Sequence, residues 1–432
     1  MEPVVIEKGS GYEIEWASQN VQMIVSMIKD GRFDDSVKAE VKVFHAGSGI
    51  TRSSPTLTSE SGKLDLTRKL NRRRKGTDYQ IDWEACVEEM AGIIIDKHRE
   101  GKPSVVIKDI PEEENLQWRV ENIMLEDINL IYGDGGSGKS LTACLIASLI
   151  DSGHMTSEHQ LVVEPGRVYF LDWETSPHEI RNRINSIHKG HGINSESNVV
   201  YRQCQRPFLE DYDIIMDEIS ERQIDVVIID SMGMSVGGDL EGSTDINAFF
   251  RGLRKLGKPV LLISHKNKSG QIFGSQYTYN NSRMIWELIR SETSMDDDVD
   301  IVMFHRKGNN VPQQSEMAWR IIFDEENNSV EFQRKDVMDT DMSGNLSIHD
   351  LVYRLIVRDG SMERDTLYER IAALKKVAVD KVKGAVNTAV SRYKKKKTLE
   401  QNGDTIGLAK DNFVKEEGFA SETGEEPWTV RV

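Results

Sequence analysis

The octapeptide Gly133-Asp134-Gly135-Gly136-Ser137-Gly138-Lys139-Ser140 lies between an apolar run at 128–132 and a second apolar stretch at 141–147. That order predicts a strand, a phosphate-binding loop and a helix that begins where the loop ends. The glycines let successive backbone N–H groups turn inward, and the helix N-terminus adds partial positive charge, so the loop suits the β- and γ-phosphates of ATP. Lys139 is the phosphate-bridging cation, and Ser140 the hydroxyl ligand for Mg²⁺. Nucleotide binding thus rests on all eight residues from Gly133 to Ser140.

Composition bounds the rest of the chain. At 432 residues it exceeds one ordinary domain, and 38% hydrophobic with 29% charged residues describes a globular protein of two or three units. A formal charge of −16 argues against wholesale coating of nucleic acid, though a local basic channel is compatible with it. The three cysteines, Cys86, Cys144 and Cys204, are far apart in apolar surroundings. They read as buried thiols in a reducing compartment, with no metal site. No apolar run is long enough for a membrane span and no basic-apolar leader opens the chain, so the expected location is cytoplasmic.

Residues 1–110 form an accessory region without a chemical motif. It has a helix-like 21–28, a strand-like 37–44, a loop-like 47–62 and an amphipathic helix at 81–98 that reads as a docking helix. The basic run 68–75 could touch phosphates. From 111 to 337 β-branched runs alternate with helical patterns, as a mostly parallel α/β sheet requires. Strands are expected at 128–132, 167–171, 199–202, 226–229, 260–263, 301–304 and 320–323. A polar linker, 338–345, precedes a region at 346–409 with three helical patterns, 348–358, 363–373 and 381–394. Two short β-like runs around Asn402-Gly403 follow, an order that looks like a winged helix. The acidic tail 410–432 reads as disordered.

The carboxylates fall at strand ends. Residues 226–230 read as a buried parallel strand that ends in Asp230, placed to reach the Mg²⁺ hydration shell. Ser231 comes next and cannot act as a base. The segment 169–176 supplies a candidate in Glu174, with Asp172 the alternative on the strand proper. A third strand, 260–265, ends in His265.

Taken together, GDGGSGKS, YFLDWETS, VVIIDS, LLISHKNK, Gly274-Ser275, Ser282-Arg283 and Phe304-His305-Arg306-Lys307-Gly308-Asn309 resemble the RepA-type hexameric replicative helicases. They are similar too to the wider AAA_25 group of plasmid and phage ATPases, within the RecA/DnaB-like motors. The likeness covers roughly residues 117–325. It implies a RecA-like P-loop core, Glu174 as the water-activating base and His265 as the γ-phosphate sensor. It also implies a hexameric ring in which a cation from the neighbour completes each site. Here that cation would be Arg306 or Lys307, with Arg283 competing.

The loops after the metal strand and the sensor strand line the nucleic-acid side in such motors. Lys266 and Lys268 fit phosphate contacts, and Tyr277 and Tyr279 could stack on bases, whereas Asp239 and Glu241 of the first loop would repel DNA. Residues 346–409 carry thirteen Lys or Arg against eight Asp or Glu. Arg392, Lys394 and Lys395 end the candidate recognition helix, where a winged helix meets DNA phosphates. The expectation is a ring-forming ATPase that translocates on single-stranded DNA as a helicase. The alternative is an ATP-gated DNA-binding regulator or recombination mediator.

Overall fold

The structure is a computed structural model. It describes residues 3–8, 11–30, 35–73, 81–100, 104–110, 117–155, 160–267, 270–272, 276–291 and 298–409. The chain divides into two compact units, Met1–Glu287 with His305–Gln314, and Leu288–Phe304 with Ser315–Val432.

The first unit opens with five antiparallel strands in sequential order: β1 (Val4–Lys8), β2 (Gly11–Trp16), β3 (Val21–Asp30), β4 (Val37–His45) and β5 (Ser48–Ser53). Helices α1 (Glu60–Arg73) and α2 (Trp83–Glu100) close one face. Val21, Met23, Val25, Val41 and Val43 share a core there with Leu66, Leu70, Trp83, Val87, Met90 and Ile94. The segment 21–28 is therefore strand, not helix, because its buried residues alternate with a period of two. The stretch 47–62 is not open loop, since it holds β5 and the first turn of α1. Ala46 and Gly47, at φ 47° and 74°, make the two-residue turn between β4 and β5.

A short pair, β6 (Trp118–Val120) and β7 (Met124–Leu125), leads into the nucleotide core. There follow β8 (Ile128–Gly133), α3 (Lys139–Ser152), β9 (Val168–Asp172), α4 (Pro177–Gly190), β10 (Val200–Gln203) and α5 (Phe208–Glu221). Next come β11 (Val226–Asp230), α6 (Met232–Ser235), α7 (Ser243–Lys255), β12 (Val260–His265) and α8 (Gln276–Asn281). The strands lie in the order β10-β9-β11-β12-β8, all parallel. Helices cover both faces, so Val226, Val227, Ile228 and Ile229 are all 0% exposed. Parallel pairing brings the carboxyl ends of β8, β12, β11 and β9 to one edge, where ligands of such sheets bind.

The sequence pattern did not reveal β13 (Met284–Arg290), which lies beside β8. Both β13 and β14 (Val299–Gly308) run through parts of each unit. In the second unit β14, β15 (Met317–Asp324) and β16 (Ser329–Lys335) are antiparallel neighbours. Further on are α9 (Ile348–Asp359), β17 (Met362–Glu363), α10 (Arg364–Lys375), α11 (Val379–Lys395), β18 (Leu399–Asn402) and β19 (Thr405–Leu408). The last three strands form a small sheet in the order β17-β19-β18. Leu351, Leu355, Leu367, Ile371, Val386 and Ile406 belong to its core. The segment 338–345 is built of 3-10 turns with Met342 and Ser343 buried, so it is packed chain rather than open linker. Among the described residues no helix is long and apolar enough to cross a membrane. The acidic tail, Lys268, Gly274 and Ser275 lie outside the described residues.

Candidate nucleotide-binding and hydrolysis site

The loop between β8 and α3 has the backbone that its glycines allow. Gly136 and Gly138 sit at φ +72° and +94°, where a side chain is strained, and open space surrounds the Cβ positions of Gly135 and Gly136. Ser137 Oγ is buried without a hydrogen-bond partner. Lys139 is only 4% exposed, and its Nζ donates to the Asp134 carbonyl at 2.7 Å. Burial pulls its ammonium below the ordinary lysine range, against the nearby carboxylates of Asp230 and Glu174. An arriving phosphate would supply the missing counter-charge.

Asp230, at the end of β11, hydrogen-bonds the Ser140 side chain. Burial pushes its carboxyl up to about 6, and the Ser140 hydrogen bond only partly offsets that rise. A hydroxyl and a buried carboxyl in contact are hard oxygen donors, which fits Mg²⁺, and a dication there would hold Asp230 ionised.

Strand β12 lies between β8 and β11, so His265 at its end falls among the other groups. Its Nδ1 is 3.5 Å from Lys139 Nζ and its Nε2 is 3.5 Å from Glu174 Oε1. The same Glu174 oxygen accepts the Ser231 hydroxyl. Glu174, His265, Lys139 and Ser231 are thus brought together, next to Ser140 and Asp230. Sequence reasoning treated Ser231 only as a residue unable to be the base, and missed its contact. The signal was available in its place after Asp230, because β11 pairs with β9.

Asp172 has a different job. It is 0% exposed, and its oxygens accept the N–H groups of Glu174 (2.8 Å) and Thr175 (3.1 Å), the Thr175 hydroxyl and the Tyr201 hydroxyl (3.1 Å). It straps down the turn that carries Glu174.

Three expected roles are changed by the geometry. Lys266 is not an open DNA contact: its side chain is 11% exposed and is ion-paired to Asp134 at 3.0 Å and Glu287 at 2.8 Å. Lys307 is not an available finger, since its Nζ donates to the carbonyls of Tyr279 (2.6 Å), Asn280 (3.1 Å) and Ser282 (2.7 Å). Tyr279 is not a free stacking platform, because its ring lies 5.1 Å from Lys307 Nζ and its hydroxyl donates to the Arg306 carbonyl. Tyr277 remains 44% exposed. Arg306 pairs with Glu287 at 2.5 Å, and Arg283 with Asp127 at 3.2 Å. Asp239 in the first loop accepts the Glu241 N–H, and Asp245 in the first turn of α7 accepts the Asp239 N–H.

In the second unit Arg392, Lys394 and Lys395 are exposed at the end of α11. Tyr393 between them is buried, and its hydroxyl lies 2.8 Å from His349 Nδ1. That anchor faces the cations outward.

Residues 97–271 match the family AAA_25, described as an AAA domain. Among solved structures, a KaiC-like protein from the hyperthermophilic archaeon Pyrococcus horikoshii is 13% identical, at a TM-score of 0.36 over 50% of this chain and 93% of that one. The flagellar accessory protein FlaH from Methanocaldococcus jannaschii is 12% identical, at a TM-score of 0.37 over 50% and 92%. No curated protein matches the chain. Residues 97–271 match an AAA domain model, and the same stretch carries a strand-loop-helix phosphate loop on a parallel sheet, so this part of the chain has the fold of a P-loop nucleotide-binding domain.

Proposed function

We propose that the chain is an ATP-hydrolysing, ring-forming DNA motor, a replicative helicase that translocates on single-stranded DNA. The observation that carries the reading is the placement of Glu174, held by Ser231 and His265 beside Lys139. A carboxylate so placed orients a water for attack on the γ-phosphate and takes its proton. Lys139 and the loop N–H groups hold the phosphates, and Ser140 and Asp230 would hold Mg²⁺, which neutralises charge on the transferring group when bound. His265, in reach of both Lys139 and Glu174, reports whether the γ-phosphate is present. Lys307 is occupied by three carbonyls, so Arg306, whose side chain is 39% exposed, is the cation offered to the neighbouring subunit.

Residues 346–409 serve in this reading as a winged-helix module. The order of three helices and a hairpin, with Arg392, Lys394 and Lys395 exposed, supports duplex or loading-site contact through phosphates. One observation favours the second reading, an ATP-gated DNA-binding regulator or recombination mediator. Lys266 is held by carboxylates, whereas Arg392, Lys394 and Lys395 of α11 are exposed.

The test is nucleotide binding and phosphate release, with and without single-stranded DNA, for the parent, Lys139→Ala and Glu174→Gln. The motor reading expects DNA-stimulated turnover in the parent. Lys139→Ala should lose binding or hydrolysis. Glu174→Gln should still bind ATP yet lose roughly 10²- to 10⁴-fold in turnover. Turnover in Glu174→Gln at the parent rate would remove Glu174 as the base. A parent that hydrolyses ATP without DNA stimulation, yet binds DNA only with ATP, favours the regulator.

A further inference from the structure

We propose that Glu287 is a positioning residue that links the nucleotide state of one P-loop to the Arg306 that the same subunit offers its neighbour. The inference rests on the ring ATPase reading and adds a route of communication to it. Glu287 is 8% exposed and lies on β13, beside the P-loop strand β8. Its two oxygens each take a different cation. Oε1 is 2.8 Å from Lys266 Nζ, and Oε2 is 2.5 Å and 2.6 Å from Nη2 and Nε of Arg306.

Lys266 is in turn shared. Its Nζ reaches Asp134 Oδ2 at 3.0 Å, and its backbone N–H donates to the Gly133 carbonyl at 3.1 Å. Arg306 also lies near the Tyr132 hydroxyl, whose pKa burial raises and the Arg306 charge lowers. The residues on either side of Gly133, Tyr132 and Asp134, therefore both engage a ladder of alternating charge: Asp134, Lys266, Glu287, Arg306. The side chains of Lys266 and Glu287 are each 11% exposed, so the attraction between these two is weakly screened, while Asp134 and Arg306 at the ends are 69% and 39% exposed.

ATP brings several negative charges to the loop that contains Asp134, and these compete for Lys266. As Lys266 turns toward the phosphates, Glu287 keeps only Arg306 and holds it more tightly. When the site empties, Lys266 returns, Glu287 is shared again, and Arg306 is more easily released to the adjoining site. A ligand that changes the partners of Lys266 thereby changes the free energy of presenting Arg306, which is the requirement for coupling between sites. Each subunit withholds its finger while its own site is loaded, so neighbouring sites turn over out of step.

The readout is the shape of the rate-against-ATP curve, with nucleotide binding followed by a fluorescent ADP analogue and assembly by light scattering. The parent should show negative cooperativity, with a Hill coefficient below about 0.8, and Glu287→Gln should return it to about 1 while still binding nucleotide and assembling. Lys266→Gln, which breaks the ladder one step earlier and leaves the Glu287–Arg306 pair, should give the same curve and serves if Glu287→Gln does not fold. A simple hyperbola in the parent, or an unchanged Hill coefficient in an assembled variant, overturns the relay and leaves the ATPase reading intact. A parent that binds the analogue but never hydrolyses ATP overturns both.

Discussion

Ser231 donates its hydroxyl to Glu174 Oε1 from the turn after the neighbouring strand, one residue beyond Asp230. The acid that would orient water and the acid that would hold Mg²⁺ are thereby tied through adjacent backbone positions. Ser231→Ala should lower ATP turnover roughly tenfold, the loss of a hydrogen bond to a charged group worth about 1.5 kcal/mol. Nucleotide affinity should stay within about twofold, because the hydroxyl faces the carboxylate rather than the phosphate loop. Steady-state hydrolysis beside equilibrium nucleotide titration checks this, and equal losses in both would remove Ser231 from the hydrolysis step.

Self-association should be needed for turnover. Arg306→Ala subunits and Glu174→Gln subunits are each inactive on their own in this reading, since one lacks the donated cation and the other the base. Mixing them should recover part of the parent rate, because some shared sites then combine an intact Glu174 with an intact Arg306. Full activity of Arg306→Ala by itself, in a monomer, ends the shared-site proposal.

His305 gives a pH dependence whose sign can be worked out. It is 5% exposed, tilted against Trp286 with ring centroids 4.9 Å apart, and its Nδ1 accepts the Gln314 N–H at 3.0 Å. Burial holds its pKa below the ordinary value of 6.5. The unfolded chain then binds more protons than the folded one in the window just below that value. The stability from neutral His305 is fully present above the unfolded pKa and is lost as pH falls through the lower folded one. Urea unfolding at pH about 7.5 and about 5 should show a smaller acid loss for His305→Gln than for the parent. Identical losses in the two proteins would mean that His305 does not drive the acid sensitivity.

The cations of α11 should reveal themselves in salt dependence. Replacing Arg392, Lys394 and Lys395 by Ala should weaken duplex binding and flatten the log-log salt plot by roughly 0.9 per lost phosphate contact. The fold should tolerate this, because all three side chains are exposed while Tyr393 keeps its buried place. Deleting residues 346–432 tests the same region more coarsely. Survival of single-strand-stimulated hydrolysis favours the motor, and its disappearance moves the DNA site to the C-terminal module and favours the regulator.

Strands buried on both faces were plain in the sequence. The run 226–229 is uninterrupted β-branched residue, and the octapeptide fixed where β8 ends and α3 begins. Of the N-terminal sheet β4 was legible at 37–44, and its neighbours were hidden for two reasons. Val21-Gln22-Met23-Ile24-Val25 carries an extra apolar residue, Ile24, on the open face, which blurs the alternation. The turn of the β4–β5 hairpin has Ala46 where Asn or Asp would have announced it. In the site, loop and carboxylate positions follow from local sequence. The partners of Lys266 and Lys307 do not, because Glu287 and the carbonyls near Tyr279 lie some twenty or more residues away and meet them only once the strands have paired.

The strap formed by Asp172 bears on how this site could recover from damage. Both of its oxygens already serve donors on Glu174, Thr175 and Tyr201. An acid so fully committed cannot be drafted as a spare when its neighbour two positions along is lost. Selection for growth from a Glu174→Ala chain should thus return an acid at 174 itself, and changes at 172 should compound the injury by letting the turn come loose.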